Sequence, residues 1–291
     1  MRILEEEFLK KLDAFSLAMR AYARGGAGGL RRSRALGSSV EFSDYRTYAP
    51  GDDPRRVDWN AYARFDRLFL KLFLEEQETT LRILLDASGS MGFGGDKWRL
   101  ALRTAAALAY LALTRYDRVA VVALSEGQAL HGPTFTGRAA FPAVEQHLLS
   151  LRPSGQAKLE HALLRVPLSA GRGVCALLSD LLDDTDWSRG ADSLLYRRQE
   201  LSVLHILSPE ELSPGLSGAV RLLDTEGGPS CDVQSTSEVL RRYEETLSSF
   251  LREQQSFCHR RALPYLLLRA DMDFERDALS ALAQGGVIAS R

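Results

Sequence analysis

Arg82-Ile83-Leu84-Leu85-Asp86-Ala87-Ser88-Gly89-Ser90-Met91-Gly92 is the stretch on which the reading of this 291-residue chain turns. An apolar strand runs up to an aspartate, and the chain then bends through two serines spaced two apart. One carboxylate and two hydroxyls therefore share a tight loop at the carboxyl end of a buried strand. Hard divalent cations take oxygen ligands of this kind and fill the remaining positions with water. In open parallel sheets, ligands bind beyond the carboxyl ends of the strands. Position and chemistry agree.

Downstream, strands and helices alternate, the pattern of a mostly parallel sheet covered on both faces. Residues 97–114 read as an alanine-rich, buried helix and 119–124 as a strand. A turn at Glu126-Gly127 leads into a short strand near 129–132. Helices follow over 139–149 and 159–165, then a strand over 174–178 that ends at Ser179-Asp180. A helix over 187–199, a strand over 201–207 and an edge strand over 219–224 come next. A long amphipathic helix over 237–261, a strand over 264–269 and a helix over 274–283 complete the order. The fold class is an α/β doubly wound, mostly parallel sheet from about residue 78 to 291.

The first 77 residues read as a smaller module. Ile3, Leu4, Phe8, Leu12, Phe15, Met19 and Tyr22 recur at helical spacing and predict a helix over 3–24. Gly25-Gly26-Ala27-Gly28-Gly29 stops it, and the basic Leu30–Arg34 reads as a linker or a phosphate-binding loop; no strand precedes those glycines. Residues 38–66 lack a long period and read as an irregular segment with turns at Pro50-Gly51 and Asp53-Pro54. Residues 68–75 and 79–86 read as two strands joined by a short polar turn.

Composition narrows the function classes. Apolar residues at 45% and charged residues at 26% are ordinary for a globular protein, and a net charge of −1 gives no bulk attraction to nucleic acid or acidic lipid. Three cysteines make no disulfide framework and suit a reducing, cytoplasmic compartment. No run of 18 apolar residues is present, and the acidic start lacks the apolar core of a signal peptide.

The text upstream of the first motif is more specific. It reads Glu41-Phe42-Ser43-Asp44-Tyr45-Arg46, then Tyr48-Ala49-Pro50-Gly51-Asp52-Asp53-Pro54-Arg55-Arg56-Val57-Asp58-Trp59-Asn60, then Ala63-Arg64. With Asp86-x-Ser88-x-Ser90 it resembles the family known as domain of unknown function 58, whose members carry a von Willebrand factor type A-like domain behind this signature. Many relatives have two membrane helices before the signature; this chain looks like the short, soluble form. The resemblance implies a metal-ion-dependent adhesion site assembled from three loops. Asp86, Ser88 and Ser90 match the first and Asp180 the third. The second should supply a threonine, and Ala157 falls in its place. A methyl cannot coordinate, and the neighbouring Lys158 adds a positive charge that offers a partner to Asp86 or Asp180. Magnesium or manganese is therefore expected to bind weakly or not at all. Without metal, Ser88 and Ser90 hold the loop by bonding to Asp86.

Relatives look like companions of MoxR-type AAA+ ATPases, acting as adaptors in the maturation or assembly of other proteins. The resemblance thus implies a non-enzymatic interaction module with such an ATPase and a client protein as partners. Two surfaces offer themselves: the Asp86/Asp180 end of the sheet with Lys158, and the aromatic, Arg/Asp-rich segment containing Arg46, Arg55 and Arg64, whose near-balanced charges also suggest internal salt bridges. The competing reading is a metal-assisted hydrolase using the Asp86 loop. The five histidines are scattered, and none is placed beside Ser90 as a general base.

Overall fold

The computed structural model describes residues 2–18, 41–49, 52–115, 117–168, 172–183 and 185–290 apart from 75–78. The glycine-rich 25–29 and the basic 30–34 lie outside them, as does the end of the helix expected over 3–24. The chain forms two compact units, one of residues 1–21 with 79–291 and one of residues 22–78. The first 21 residues thus belong with the sheet, which differs from the grouping of 1–77 expected from sequence.

At the amino end α1 (Glu6–Leu12) is followed by β1 (Phe15–Leu17). The unit 22–78 contains β2 (Glu41–Thr47), α2 (Trp59–Phe65) and β3 (Phe69–Leu74). Strands β2 and β3 pair antiparallel in a two-stranded sheet. The segment expected to be irregular is organised by its acidic residues. The Asp58 carboxylate accepts from the Asn60 and Ala61 N–H groups and starts α2, and it also accepts from the Tyr45 hydroxyl at 2.7 Å. Asp52 accepts from Arg46 at 2.6 Å, one of the internal salt bridges the sequence suggested.

The sheet unit continues with β4 (Thr80–Asp86), α3 (Asp96–Leu113), β5 (Arg118–Ser125), β6 (Gln128–Thr136), α4 (Phe141–Ser150), α5 (Leu159–Leu164) and β7 (Gly173–Ser179). Then come α6 (Ser188–Tyr196), β8 (Gln199–Leu207), α7 (Pro209–Leu212), β9 (Gly218–Leu222), β10 (Cys231–Ser235), α8 (Ser237–Arg260), β11 (Tyr265–Arg269), α9 (Phe274–Gln284) and β12 (Ile288–Ser290). Six strands form one sheet in the order β11-β8-β7-β4-β5-β6, parallel except for β6. β4 and β7 are buried almost end to end, as strands covered on both faces must be. The expected strand at 219–224 is β9, but it pairs with β10 in a separate hairpin instead of forming the edge of the sheet.

The expected helix at 3–24 ends early. Phe15–Leu17 turns into a strand paired with Ile288–Ser290. Leu4, Phe8, Leu12 and Leu17 are buried, and the Glu145 carboxylate accepts from the Ile3 and Leu4 N–H groups at 2.7 and 3.1 Å. Helical spacing was real over 4–12, but beyond it tertiary pairing overrode propensity.

Candidate functional site at the switch point of the sheet

The chain leaves β4 toward β5 and β6 on one side and returns as β7 on the other. The carboxyl ends of β4 and β7 are therefore the switch point, where the two connections part and leave a crevice. Asp86 ends one strand and Ser179-Asp180 the other, so the first and third of the sequence-predicted loops do meet.

Asp86 is fully buried. One oxygen accepts from the Ser88 N–H at 3.0 Å and the other from the Ser179 hydroxyl at 2.5 Å. Burial, and secondarily the charge of Asp180, push its carboxyl up to about 7. The Ser88 and Ser90 hydroxyls lie 3.0 Å apart. Ser179 was missed by sequence reasoning, although its place directly before Asp180 at the strand end was a usable signal.

Asp180 is paired, and its partner is not Lys158. Lys97, in the first turn of α3, is fully buried and its Nζ lies 2.7 Å from Asp180 Oδ2 and 2.6 Å from Glu211 Oε1. A lysine at the positive end of a helix is electrostatically adverse, so these carboxylates are what hold it there. Glu211 is fixed in turn: it belongs to a capping box with Ser208 at the start of α7, its second oxygen accepting from the Ser208 N–H at 2.8 Å. The other Asp180 oxygen accepts from the Leu182 N–H at 3.1 Å. Its backbone carbonyl accepts from His205 Nε2 at 2.7 Å, so His205 carries its proton on Nε2 and accepts from the Tyr265 hydroxyl on Nδ1 at 2.8 Å. Burial lowers the His205 imidazole to about 4, leaving it neutral.

Lys158 is exposed, in the left-handed region at φ 45°, and its ammonium makes no hydrogen bond or ion pair among the described residues, while its carbonyl accepts from the Ala162 N–H at 3.1 Å. Ala157 is buried among Leu84, Val122 and Leu159, so the methyl at the expected threonine position serves the core. The N–H groups of this second loop are taken by carboxylates: Gln156 donates to Glu126 at 3.0 Å, Ala157 to Glu226 at 3.2 Å, and Leu159 to Asp183.

This donor set does not fit a hard divalent ion. An ammonium already sits on Asp180, a methyl replaces the threonine oxygen, and both Asp86 oxygens accept hydrogen bonds. Among the described residues no group of three His, Cys, Asp or Glu side chains is arranged to hold a metal. Lys97 itself was legible: with Leu100, Ala101 and Thr104 it recurs at the spacing of the buried helix face.

In the unit 22–78, Arg55 and Arg64 are exposed, and Arg64 lines an open cavity of about 660 Å³ with Tyr45, Asn60, Phe65 and Phe69. Trp59 and Phe65 are 63% and 66% exposed, so this face offers aromatic surface to a partner.

The doubly wound, mostly parallel sheet with an acidic loop at its switch point is the α/β architecture expected from the sequence. The chain belongs to the family described as "Protein of unknown function DUF58", which matches residues 44–253, from the aromatic signature through most of α8. It is 28% identical over 200 residues to uncharacterized proteins of Mycobacterium tuberculosis (Rv1480) and Mycobacterium bovis (Mb1516), covering 66% of this chain and 62% of theirs. It thus spans less than two thirds of the length of these curated relatives. Similar solved structures include the conserved hypothetical protein BatB from Bacteroides thetaiotaomicron, at 13% identity and TM-score 0.41 over 71% of this chain and 98% of that one. The SpRpn10 VWA domain is similar at 14% identity and TM-score 0.33, over 45% and 76%.

Proposed function

We propose that the protein is a non-enzymatic adaptor that binds a MoxR-type AAA+ ATPase and a client protein in the cytoplasm. Its recognition face is the carboxyl edge of the sheet, used without a divalent metal. The observation that carries the metal-free part is the buried Lys97 ammonium between Asp180 and Glu211. Nζ supplies the positive charge that a metal would otherwise bring to Asp180, and it is covalently tethered. A partner is then recognised by shape, backbone groups and charges at the rim.

The absence of hydrolase chemistry rests on the hydroxyls. Ser88 and Ser90 face each other, and His205, which bonds the Asp180 carbonyl, spends both ring nitrogens on Asp180 and Tyr265. A nucleophile needs a base within hydrogen-bond reach. Among the described residues, no helix is long and apolar enough to cross a membrane, which is compatible with a cytoplasmic adaptor.

The test is co-purification of the ATPase with the wild-type chain, Lys158→Glu and Arg64→Glu, each with and without EDTA. The proposal expects retention that is indifferent to EDTA, and about tenfold loss in Lys158→Glu. Release by EDTA restored by magnesium would overturn the metal-free reading, and loss confined to Arg64→Glu would move the interface to the aromatic segment.

A further inference from the structure

We infer that the second loop carries a binding site for one acidic side chain, built on the Ala157 N–H, which this chain fills with its own Glu226. An acidic side chain of a partner takes the place of Glu226 when the partner docks. The inference rests on the reading of this rim as the recognition face and names the chemistry that the rim accepts.

Three carboxylates cap this loop, and they are not held alike. Glu126 sits in the β5–β6 turn, where its own N–H donates to the Gln156 carbonyl at 2.8 Å while its carboxylate takes the Gln156 N–H. Asp183 follows β7 and also accepts from the Thr185 N–H at 3.1 Å and the Thr185 hydroxyl at 2.7 Å. The Glu126 turn is tied to the second loop by two bonds, and the Asp183 carboxylate is further held by Thr185 directly after β7. The Glu226 carboxylate has one bond, accepting on Oε2 from the Ala157 N–H at 3.2 Å, while its own N–H donates to Asp224 within the hairpin tip. Its Oε1 is buried and has no hydrogen-bond partner among the described residues. A carboxylate oxygen shut away from water without a donor favours release of the contact.

The element that carries Glu226 is also the least anchored. Among the described residues β9 and β10 pair with each other and with no other strand, and most of their residues are exposed. A lone two-stranded hairpin is marginal in water, so contacts at its ends decide its position. The tip reaches the first loop as well: a methyl built on Gly89 would come within 2.5 Å of the Thr225 carbonyl oxygen. The tip thus lies against both Gly89 and Ala157, covering the crevice edge between the first and second loops. Leu223 beside it is 73% exposed. Lifting the tip frees one N–H and the surface on each side of it, and a partner that brings one carboxylate on a protruding segment satisfies both.

The test follows the Ala157 amide by NMR in the full chain, for wild type, Glu226→Ala and Glu226→Gln. The probe is N-acetyl-glutamate amide, with N-acetyl-glutamine amide as control. In Glu226→Ala the Ala157 amide is expected to exchange with solvent at least tenfold faster, while the amides of Ile83–Leu85 stay unchanged. The glutamate probe is expected to shift that amide in Glu226→Ala but not in wild type at the same concentration, and the glutamine probe in neither; Glu226→Gln is expected to lie between. An Ala157 amide unchanged in Glu226→Ala would overturn the inference. So would a glutamate probe that acts equally on wild type and variant, or on neither. ATPase co-purification with the same proteins separates the two claims. An ATPase that binds neither protein sinks the proposed partner and leaves the carboxylate site to be judged on the amide data.

Discussion

Two buried side chains at the switch point have opposite electrostatic fates. Lys97 is satisfied and Asp86 is not. Asp86 receives two hydrogen bonds but no cation, and its carboxyl stands at about 7. The folded state therefore holds a proton that the unfolded chain has released, between the ordinary aspartate range and about 7. Stability from this group is fully present below the unfolded value and is lost as pH rises through the folded one. We expect the thermal midpoint to fall between pH 5 and pH 8, and Asp86→Asn to flatten that slope and raise the midpoint at pH 8. An unchanged slope in Asp86→Asn would show that the carboxylate finds a cation in solution. Lys97 obeys the reverse logic. Removing one member of a buried ion cluster strands the others, at a cost of about 3–5 kcal/mol. Lys97→Met should lose about that much in urea unfolding, and Lys97→Met with Asp180→Asn should regain a large part of it. If the double variant is no better than the single one, Asp180 is not the group that Lys97 neutralises.

Among the elements, the β9–β10 hairpin meets the first loop at one close approach, beside the bond from its Glu226 to the second loop. Gly89 is not in the left-handed region, so alanine there meets no backbone strain. What it meets is the Thr225 carbonyl, at 2.5 Å from the added methyl. Backbone against backbone cannot yield as a flexible side chain does, so the hairpin tip has to move. Gly89→Ala is expected to speed amide exchange across residues 218–235 while costing about 1 kcal/mol or less of global stability, because the hairpin adds little to the core. Protection unchanged in the hairpin would mean that its position is set by α8 and not by the tip. The first element shows how local signals are overruled. Phe15 continues the helical spacing of α1, yet Phe15–Leu17 pairs with Ile288–Ser290 because the strand at the far end of the chain offers hydrogen bonds there.

At the scale of the whole molecule, legibility followed the range of the interactions. The alternation after residue 78 was readable because β4, β5, β7 and β8 are continuous apolar runs, whose burial needs no knowledge of neighbours. Asp86 and Asp180 were readable because both stand at the ends of such runs. The pairing of Lys97 with Asp180 was not, since it joins residues 83 apart in sequence, and Lys158 lies closer to Asp180 along the chain. The β2–β3 pairing was hidden for the same reason, running from Glu41 opposite Leu74 to Thr47 opposite Phe69, whereas the Asp58 cap of α2 is a local signal that the reading of an irregular segment passed over. The attachment of the amino end is the longest-range feature. Phe8 is fully buried and its ring centroid lies 5.1 Å from that of Phe274, itself under the Arg103 guanidinium at 4.6 Å. The first residues are thus part of the core of the sheet unit, and not a lead-in to the aromatic segment that follows them. A buried phenylalanine cut to alanine costs about 3–5 kcal/mol, a large share of a typical domain's stability. Phe8→Ala is therefore expected to lower the thermal midpoint by roughly 5–10 °C, whereas Glu7→Ala, exposed on the same helix, should leave it within about a degree. Hydrogen exchange should then show faster opening at Phe274–Gln284 and β12, with the β2–β3 pair unaffected. Equal midpoints for the two variants would return the amino-terminal helix to the role of an appendage.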